Sequence, residues 1–244
     1  MDVMKARTIV VIPAYNEAET IGDVIASIKK EIRGADILVV NDCSSDDTEL
    51  KIRCGGGSVI YINNIHNMGY AMSIQTGIKY AKENDYDYVI QMDADGQHLA
   101  AEAKKLLDAA ISKKADIVLG SRFKVDTGYK SPFFRRIGTK LFEFLIKIFC
   151  NKTIKDPLTG MQVLGRKVVS YYSELGAYPE YPDAGLLIEM IMKKYKIVEV
   201  PVKMKQRKTG TSMHDGILSP ISYMIRQFYS CVIVFIKFVG RKYE

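Results

Sequence analysis

Few residues in this sequence are of the kinds that build cross-linked or zinc-stabilised folds. Four cysteines occur among 244 residues, and no two of them have Cys-x-x-Cys spacing. The sequence therefore predicts neither a disulfide framework nor a zinc site, and it favours a reducing compartment. The amino terminus is too polar for a secretory signal. We expect a protein that begins in the cytosol.

Glycine-rich nucleotide-binding motifs are also missing. The run 55–57 is followed by neither a helix start nor Gly-Lys-Ser/Thr, so it is neither a dinucleotide fingerprint nor a P-loop. The net charge of +7 comes from the second half: residues 1–119 hold 13 Lys/Arg and 18 Asp/Glu, whereas residues 120–244 hold 22 and 10. A basic half suits nucleic acid, anionic lipid or a phosphorylated substrate. Because no nucleic-acid motif accompanies it, we expect no nucleic-acid partner.

Short apolar runs alternate with helical patterns along the chain. The patterns predict strands at 8–13, 37–40, 59–62, 88–92, 117–120, 162–164 and 198–202. Between them they predict helices at 21–32, 69–83, 100–113 and 137–149. This rhythm is typical of an α/β domain whose mostly parallel sheet is covered by helices on both faces.

Two carboxylates one residue apart, Asp93 and Asp95, close the predicted strand 88–92. Open α/β sheets bind ligands at the carboxyl ends of their strands. Two such charges repel each other unless a cation or several donors compensate. Their oxygens suit Mg²⁺ or Mn²⁺, which bridges to diphosphate. The alternative interpretation is a polar turn in which Gly96 supplies an unusual backbone angle.

Several motifs occur in an order that resembles family 2 glycosyltransferases. They are Ile12-Pro13-Ala14-Tyr15-Asn16-Glu17, Asn41-Asp42 with Ser44-Ser45-Asp46, Asn67-Met68-Gly69, Asp93-Ala94-Asp95-Gly96-Gln97-His98 and Gly120-Ser121-Arg122. The resemblance implies a GT-A fold. Two further motifs resemble the dolichol-phosphate mannose synthase and polyprenyl-phosphate glycosyltransferase branch. These are Asp156-Pro157-Leu158-Thr159-Gly160-Met161 and Arg207-Lys208-Thr209-Gly210-Thr211-Ser212.

The resemblance also implies roles for individual residues on the donor side. The nucleotide sugar is expected to contact Pro13, Tyr15, Glu17, Asp42, Gly69, Asp93, Ala94, Asp95 and Gln97. The metal ion, Mg²⁺ or Mn²⁺, is expected at Asp93, Asp95 and Gln97. Asn41 replaces the first aspartate of the commoner Asp-Asp pair, which leaves the preference for a nucleotide base open. Gly69 suits close approach of a ligand, and equally an ordinary helix start.

On the acceptor side, the resemblance implies that arginines meet a phosphate. Guanidinium groups bind phosphate in a two-point fork. Expected at that phosphate are Arg135, Arg136 and Arg207, with Arg122 as a further candidate; the alternative for Arg135 and Arg136 is a solvated helix start. Expected catalytic residues are Asp95, Asp183, Arg122 and Arg207, with Asp183 as general base where the acceptor is a hydroxyl.

Two of the three histidines, His98 and His214, lie near the motifs but carry weaker signals. For His98 we favour an ordinary hydrogen bond, because a lone imidazole more often makes one than binds a metal. His214 follows the loop 207–212, and some family relatives have a metal-binding histidine near that point. The role of His214 stays unassigned.

Two helical patterns are more apolar than a single core-facing stripe requires. Membrane contact and burial explain the excess equally well for 137–149. For 220–239, Arg226 and Lys237 leave ten uncharged residues between them, which is short of a membrane span. We predict a helix lying on a membrane, with homodimerisation as the alternative. We divide the chain into a catalytic domain at 1–213 and this helical segment at 214–244.

The resemblance thus implies an inverting, metal-dependent glycosyltransferase, and the acidic pair agrees with a metal site. It would move a sugar from a GDP- or UDP-sugar to a polyprenyl phosphate at the cytoplasmic face of the membrane, as a cytoplasmic protein peripheral to that face. The first alternative is a soluble transferase that uses a hydroxyl of a glycan or small molecule with Asp183 as base. The second is a non-catalytic subunit that binds nucleotide sugars.

Overall fold

The computed structural model describes residues 6–55, 59–124, 133–174, 176–205 and 218–240, and the side chains of 133–135 and 218–221 are not described. The strands are β1 (Thr8–Ala14), β2 (Asp36–Asn41), β3 (Val59–Asn63), β4 (Tyr88–Gln91), β5 (Ile117–Ser121), β6 (Gln162–Gly165) and β7 (Ile197–Pro201). The helices are α1 (Ile21–Glu31), α2 (Thr48–Cys54), α3 (Tyr70–Glu83), α4 (Ala100–Lys113), α5 (Phe133–Cys150), α6 (Arg166–Tyr172), α7 (Ala184–Met192) and α8 (Leu218–Gly240).

These strands form one seven-stranded sheet in the order β3-β2-β1-β4-β6-β5-β7. All neighbours are parallel except β6, which runs antiparallel to β4 and β5. In that register Gln162, the first residue of β6, lies beside Gln91 at the carboxyl end of β4. The loop that precedes β6 therefore reaches the same edge of the sheet as the loops that follow the parallel strands.

Helices cover both faces of the sheet and make two apolar cores. Alternate residues of β1 point to opposite faces: Ile9 and Val11 belong to one core, and Val10 and Ile12 to the other. The first core takes in α3, α5, α6 and α7 with one residue of α8, and the second takes in α1, α4 and part of α2. Burial on both faces explains why the central strands are continuous apolar runs.

The sequence-based prediction of the fold is confirmed for the strands and the longer helices. The structure adds three short helices that were not predicted: α2, α6 and α7. The broad apolar surface of α5 is partly buried and partly exposed. Phe142, Leu145 and Ile146 are buried, whereas Phe144 and Ile148 are more than half exposed. Burial and exposure on the same helix together account for the excess of apolar residues.

The carboxyl-terminal helix α8 packs on the domain through one face. Cys231 and Gln227 are fully buried there, and the ring of Phe235 stacks on Phe149 of α5 with centroids 4.2 Å apart. The opposite face is exposed and apolar. Its exposed apolar side chains are Ile225, Phe228, Tyr229, Ile233, Ile236 and Val239, and Ser222, Arg226 and Lys237 of the same helix are also exposed.

Candidate active site

The loops after β1 and β2 hold each other at the carboxyl edge of the sheet. Asn16 donates its backbone N–H to the Ser44 hydroxyl (3.0 Å), and its side-chain oxygen accepts from the N–H of Ser45 (2.8 Å). The Asp46 carboxylate accepts from the N–H of Ala18 at 3.2 Å. These bonds hold the loop in which Tyr15 is 49% exposed. An aromatic ring at this edge offers a flat surface to a nucleotide base.

The other two predicted donor residues of this segment are less accessible. Pro13 is a buried residue of β1 beside Val40. Glu17 is half-buried; its N–H donates to the Thr48 hydroxyl (2.8 Å), and its carboxylate accepts from the Thr20 hydroxyl (2.9 Å). These two residues shape the loop that carries Tyr15.

Asp42 holds a third loop, residues 64–69, at the same edge of the sheet through hydrogen bonds. Its carboxylate is 3% exposed and accepts hydrogen bonds from the N–H groups of Met68 and Gly69 and from the Asn64 amide, each at 2.8 Å. Gly69 adopts φ 85° as it begins α3, a backbone angle that favours glycine. Asp42 therefore fixes the loop 64–69. Its predicted contact with a nucleotide base remains a prediction.

Asn41 lies beside Asp42, and its amide suits its neighbours. Its Nδ2 donates to the side-chain oxygen of Asn63 (3.1 Å), while its Oδ1 accepts from the Ser44 hydroxyl (2.6 Å). An aspartate at position 41 would have no N–H to give to the side-chain oxygen of Asn63, so an amide suits this arrangement.

The acidic pair follows β4 and is half-buried. The Asp93 carboxylate accepts from the Tyr70 hydroxyl at 2.9 Å, and the Asp95 carboxylate accepts from the N–H of Gln97 at 2.9 Å. Nδ1 of His98 accepts from the N–H of Asp93 (3.0 Å), and its Nε2 lies 3.5 Å from the Asp93 carboxylate. His98 thus makes an ordinary hydrogen bond, as favoured from the sequence, and packs against the Asp93 carboxylate.

The segment after β7 runs alongside this acidic loop. Lys205 donates its N–H to the carbonyl oxygen of Gln97 (3.0 Å), and Met204 forms an isolated bridge with His98. The basic segment that begins at Lys203 therefore starts next to the acidic pair. Cationic side chains near two carboxylates suit a site that binds a diphosphate.

The surroundings of the acidic pair fit a metal ion held in an open site. A Cβ added at Gly160 would lie 3.2 Å from the Tyr70 hydroxyl and 3.4 Å from the Asp93 carboxylate, so a side chain there would press on the hydroxyl that holds this carboxylate. Within the described residues, no group of three or more His, Cys, Asp or Glu side chains forms a closed metal cluster. Two hard carboxylates fit Mg²⁺ or Mn²⁺ whose other ligands come from water or substrate.

Arg122 follows β5 and forms a buried ion pair with Asp156. Its Nε and Nη2 donate to the two Asp156 oxygens, each at 2.7 Å, and its N–H donates to the same carboxylate at 2.9 Å. Arg122 is 7% exposed and Asp156 is fully buried. The pair links β5 to the loop before β6. Its guanidinium fork is bound by Asp156, so the structure gives Arg122 a structural role, and its contact with an acceptor phosphate stays a prediction.

Asp183 stands at the start of α7 and is held by α8. Tyr223 donates its hydroxyl to Oδ2 of Asp183, and Gln227 donates Nε2 to the same oxygen at 3.0 Å. Burial raises the pKa of Asp183 to about 6, although the bonds from Tyr223 and Gln227 and the charge of Arg122 lower it. A carboxylate with such a pKa is ionised at neutral pH and still basic enough to accept a proton.

Asp183 is also electrostatically connected to the acidic loop. Its charge and that of Asp93 both raise the pKa values of Tyr70 and Tyr178, after burial as the main cause. The structure therefore brings the predicted base to the same region as the predicted metal ligands.

The remaining predicted residues are only partly covered by the structure. Arg136 is exposed on α5. The side chain of Arg135 and all of Arg207 and His214 lie outside the described residues. Sequence reasoning did not single out Tyr70, Tyr223 or Gln227. No local motif marks these three residues, because each reaches its aspartate over 23 to 44 positions of chain.

Comparisons with known proteins agree with this geometry. The profile described as Glycosyl transferase family 2 matches residues 9–172. The chain is 27% identical over 218 residues to the polyprenol monophosphomannose synthase of Mycolicibacterium smegmatis, covering 86% of this chain and 82% of that protein. It is 32% identical over 219 residues to the dolichol-phosphate mannosyltransferase of Pyrococcus furiosus, covering 85% of this chain but 59% of that protein.

A solved structure shows the same fold at lower identity. Glucosyl-3-phosphoglycerate synthase from Mycobacterium tuberculosis, in complex with Mn²⁺, uridine diphosphate and glucosyl-3-phosphoglycerate, superposes with a TM-score of 0.67 at 18% identity. The match covers 97% of this chain and 81% of that one. This chain therefore belongs to the family 2 glycosyltransferases and has the GT-A fold.

Proposed function

We propose that the protein is an inverting, divalent-metal-dependent glycosyltransferase that moves a sugar from a GDP- or UDP-sugar to a polyprenyl phosphate at the cytoplasmic face of a membrane. One observation carries the choice of acceptor. Asp183 is bound by α8, whose other face is apolar and exposed. A lipid-linked acceptor would thus meet the catalytic groups beside the part of the protein best suited to lipid.

The donor would lie across the carboxyl edge of the sheet. Tyr15 and the loop 64–69 held by Asp42 would receive the nucleoside, and the diphosphate would lie toward Asp93 and Asp95. A bound Mg²⁺ or Mn²⁺ would neutralise the leaving diphosphate. Tyr70 and His98 keep the Asp93 carboxylate in position for that ion.

In the transfer, an oxygen of the acceptor attacks the anomeric carbon from the side opposite the diphosphate. The bond from that carbon to the diphosphate oxygen breaks, and its electron pair leaves with the nucleoside diphosphate. A phosphate monoester has a second pKa of about 6 and is mostly ionised at neutral pH. Asp183, with a pKa of about 6, matches it and can accept the remaining proton from the fraction that arrives protonated.

The lipid-facing surface extends from α8 to α5. On α8, the segment Ser222–Gly240 is long and apolar enough to cross a membrane, with a mean hydropathy of 1.3 and 11% of it buried. Because its inner face packs on α7, we favour a helix that lies on the membrane. On α5, exposed Phe144 borders a groove of about 370 Å³ lined also by Lys140, Glu143, Lys147, Thr153 and Lys155. Lys140 and Lys155 are paired with Glu143, whereas exposed Lys147 beside apolar side chains suits an anionic membrane surface.

The second candidate is transfer to a hydroxyl of a glycan or small molecule. The pKa of Asp183 favours it as well, because a hydroxyl has to lose its proton during attack and Asp183 is suited to receive it. The two candidates differ in how much they need Asp183. Asp183→Asn should abolish transfer to a hydroxyl but leave measurable transfer to an ionised phosphate.

The test is a transfer assay with labelled GDP-mannose or UDP-glucose, Mn²⁺ and polyprenyl phosphate, followed by extraction of lipid into an organic phase. Asp95→Asn should abolish the extracted label. Asp108→Asn is the matched control, because Asp108 is exposed on α4 and this substitution removes the same charge at a position away from the sheet edge.

Label that depends on Asp95, metal and lipid supports the proposal. Donor hydrolysis without lipid labelling favours the hydroxyl acceptor. Donor binding without any turnover, across both donors and both acceptor classes, overturns the assignment of catalysis and leaves a nucleotide-sugar-binding subunit.

A further inference from the structure

The carboxyl-terminal helix contributes two side chains to the active site. The Tyr223 hydroxyl and the Gln227 amide nitrogen both donate hydrogen bonds to Oδ2 of Asp183. Among the described residues, no hydrogen-bond donor contacts its other oxygen, Oδ1. The Gln227 nitrogen also donates to the carbonyl oxygen of Tyr181 at 3.1 Å. The helix therefore fixes both the carboxylate and the backbone that leads into it.

Close packing makes this contact specific. A Cβ added at Gly185 would lie 2.3 Å from the Ser230 hydroxyl, so α7 and α8 approach each other as near as a glycine permits. The Tyr223 ring packs edge-on against Tyr181 with centroids 5.6 Å apart. Gln227 is fully buried. Neither donor behaves as a mobile surface group.

We propose that α8 is a positioning element of the active site, in which Tyr223 and Gln227 hold Oδ2 of Asp183 so that Oδ1 receives the proton of the acceptor. This inference rests on the proposed function in taking Asp183 as the base. The proton moves from the acceptor oxygen to Oδ1, the acceptor oxygen bonds to the anomeric carbon, and the electron pair of the broken bond leaves with the nucleoside diphosphate. Tyr223 and Gln227 act through Asp183 without contacting the sugar.

The charges around Asp183 determine the direction of the expected effect. Arg122 lowers the pKa of Asp183 and Asp156 raises it, and neither would change when α8 is altered. Burial raises the pKa values of the other ionisable neighbours, which therefore stay neutral near pH 6; they are Tyr70, Tyr178 and Cys231. Removing the Tyr223 or Gln227 donor should raise the pKa of Asp183, because the ionised carboxylate loses a hydrogen bond.

The first measurement needs no substrate. The free energy of unfolding is measured against pH for the protein and for its Asp183→Asn variant, and the difference between the two curves reports the pKa of Asp183. The same pair of curves is then measured with Tyr223→Phe in both proteins. We expect the pKa to rise by about one pH unit. Tyr229→Phe is the control, because Tyr229 lies on the same helix, loses the same hydroxyl and is 66% exposed; it should leave this pKa unchanged.

The second measurement is kinetic. Tyr223→Phe should move the acidic limb of the pH profile upward by about one pH unit, so kcat should fall by up to about tenfold on that limb and less at neutral pH, with little change in KM for the donor. Gln227→Met provides an independent variant of similar volume. Since Oε1 of Gln227 is buried and has no partner in the described part of the chain, the methionine also removes an unsatisfied carbonyl, and the variant should fold.

The outcomes separate this inference from the proposed function. If the unaltered protein transfers no sugar, the proposed function fails, while the substrate-free measurement still tests the contact. If transfer occurs but Tyr223→Phe and Gln227→Met leave both the pKa of Asp183 and kcat unchanged, the positioning role is wrong. A fall in kcat with no change in that pKa or in the pH profile would show general loosening of α8, and it too would overturn the inference.

Discussion

Asp42 and Asp183 are both acidic residues near the ends of secondary-structure elements, but their hydrogen bonds differ in kind. Asp42 accepts two backbone N–H groups and one amide, with donors on both of its oxygens. Asp183 accepts two side-chain donors on one oxygen only. A carboxylate whose two oxygens both accept backbone N–H groups is well suited to holding a loop. One with a raised pKa and no described donor on Oδ1 is suited to proton transfer.

Asp42→Asn should weaken the loop that begins α3. The asparagine brings an N–H toward backbone donors, so at least one of the N–H groups of Met68 and Gly69 loses its acceptor. We expect the free energy of unfolding to fall by about 2 kcal/mol and KM for the donor to rise. Denaturant unfolding and steady-state kinetics measure the two effects. Asp47→Asn, an exposed change five residues away, should do neither.

Asp183→Asn should stabilise the fold as it impairs catalysis. In the unfolded chain the carboxyl ionises near pH 4, but in the folded protein burial raises its pKa to about 6. The folded state therefore holds more protons between these values, and stability falls as pH rises through this window. The asparagine has no charge that must be buried above this pH window. Its one side-chain oxygen can still accept both hydrogen bonds from α8.

At pH 7.5 the free energy of unfolding of Asp183→Asn should exceed that of the unaltered protein by about 1 to 2 kcal/mol. Most of the gain should be lost at pH 3.5, where the Asp183 carboxyl is mostly protonated in both the folded and the unfolded protein. Thermal or denaturant unfolding at the two pH values measures this. An equal gain at both values would contradict the raised pKa.

At the scale of the elements, the sequence predicted those whose signals are local. The strands of the sheet and helices α1, α3, α4, α5 and α8 have periodic apolar patterns, and their observed limits fall within a few residues of the predicted ones. Helices α2, α6 and α7 have 7, 7 and 9 residues and escaped prediction. Such short helices show little periodicity, and packing on the sheet stabilises them more than their own sequence does.

The active site was predictable to a similar extent. Asp93 and Asp95 could be named as candidates because they follow a predicted strand, and Asp183 because of the resemblance to the family; their roles remain predictions. The direction of β6 could not be predicted from its four residues, although it brings Asp156 to Arg122 and Gly160 to Asp93. The residues that orient these groups depend on long-range packing, which apolar periodicity does not encode.

The contact between α7 and α8 can be tested at position 185. Gly185→Ala places a methyl group against Ser230, so we expect a loss of about 1 to 2 kcal/mol in the free energy of unfolding. Ser230→Ala removes the hydroxyl nearest to that methyl and should recover part of the loss in the double variant. A double-mutant cycle in denaturant measures the coupling. Strictly additive losses would mean that the two helices do not approach this closely.

For the whole molecule, one face of the sheet is covered by helices that also present apolar side chains outward. Exposed apolar residues lie on α5 and α8, and lysines line the neighbouring groove on α5. On the other layer, α2 exposes a single large apolar residue, Leu50. This difference between the two sides favours one orientation toward a membrane.

The protein should sediment with vesicles that contain anionic lipid, and less with purely zwitterionic ones or at high salt. Ile225→Asp combined with Ile236→Asp should weaken binding at least tenfold, because two charges enter the apolar face of α8. Leu50→Asp adds a charge at an equally exposed site on the opposite layer and should leave binding unchanged. Equal effects of both changes would argue against a defined membrane face. Formation of dimers that the α8 changes abolish would instead support the homodimer alternative.

The ion pair between Arg122 and Asp156 joins the two ends of a long excursion of the chain, which leaves the sheet after β5 and returns as β6. Loop-closure entropy depends only weakly on the length of chain between two fixed ends. The excursion includes α5, whose Phe142, Leu145 and Ile146 are buried in the core, so we expect changes of length to be tolerated in the loops on either side of α5 and not within it. Exchanging these loops, with α5 and both ends kept, would test whether the excursion determines which acceptor is used, and binding of the nucleotide sugar would be the control.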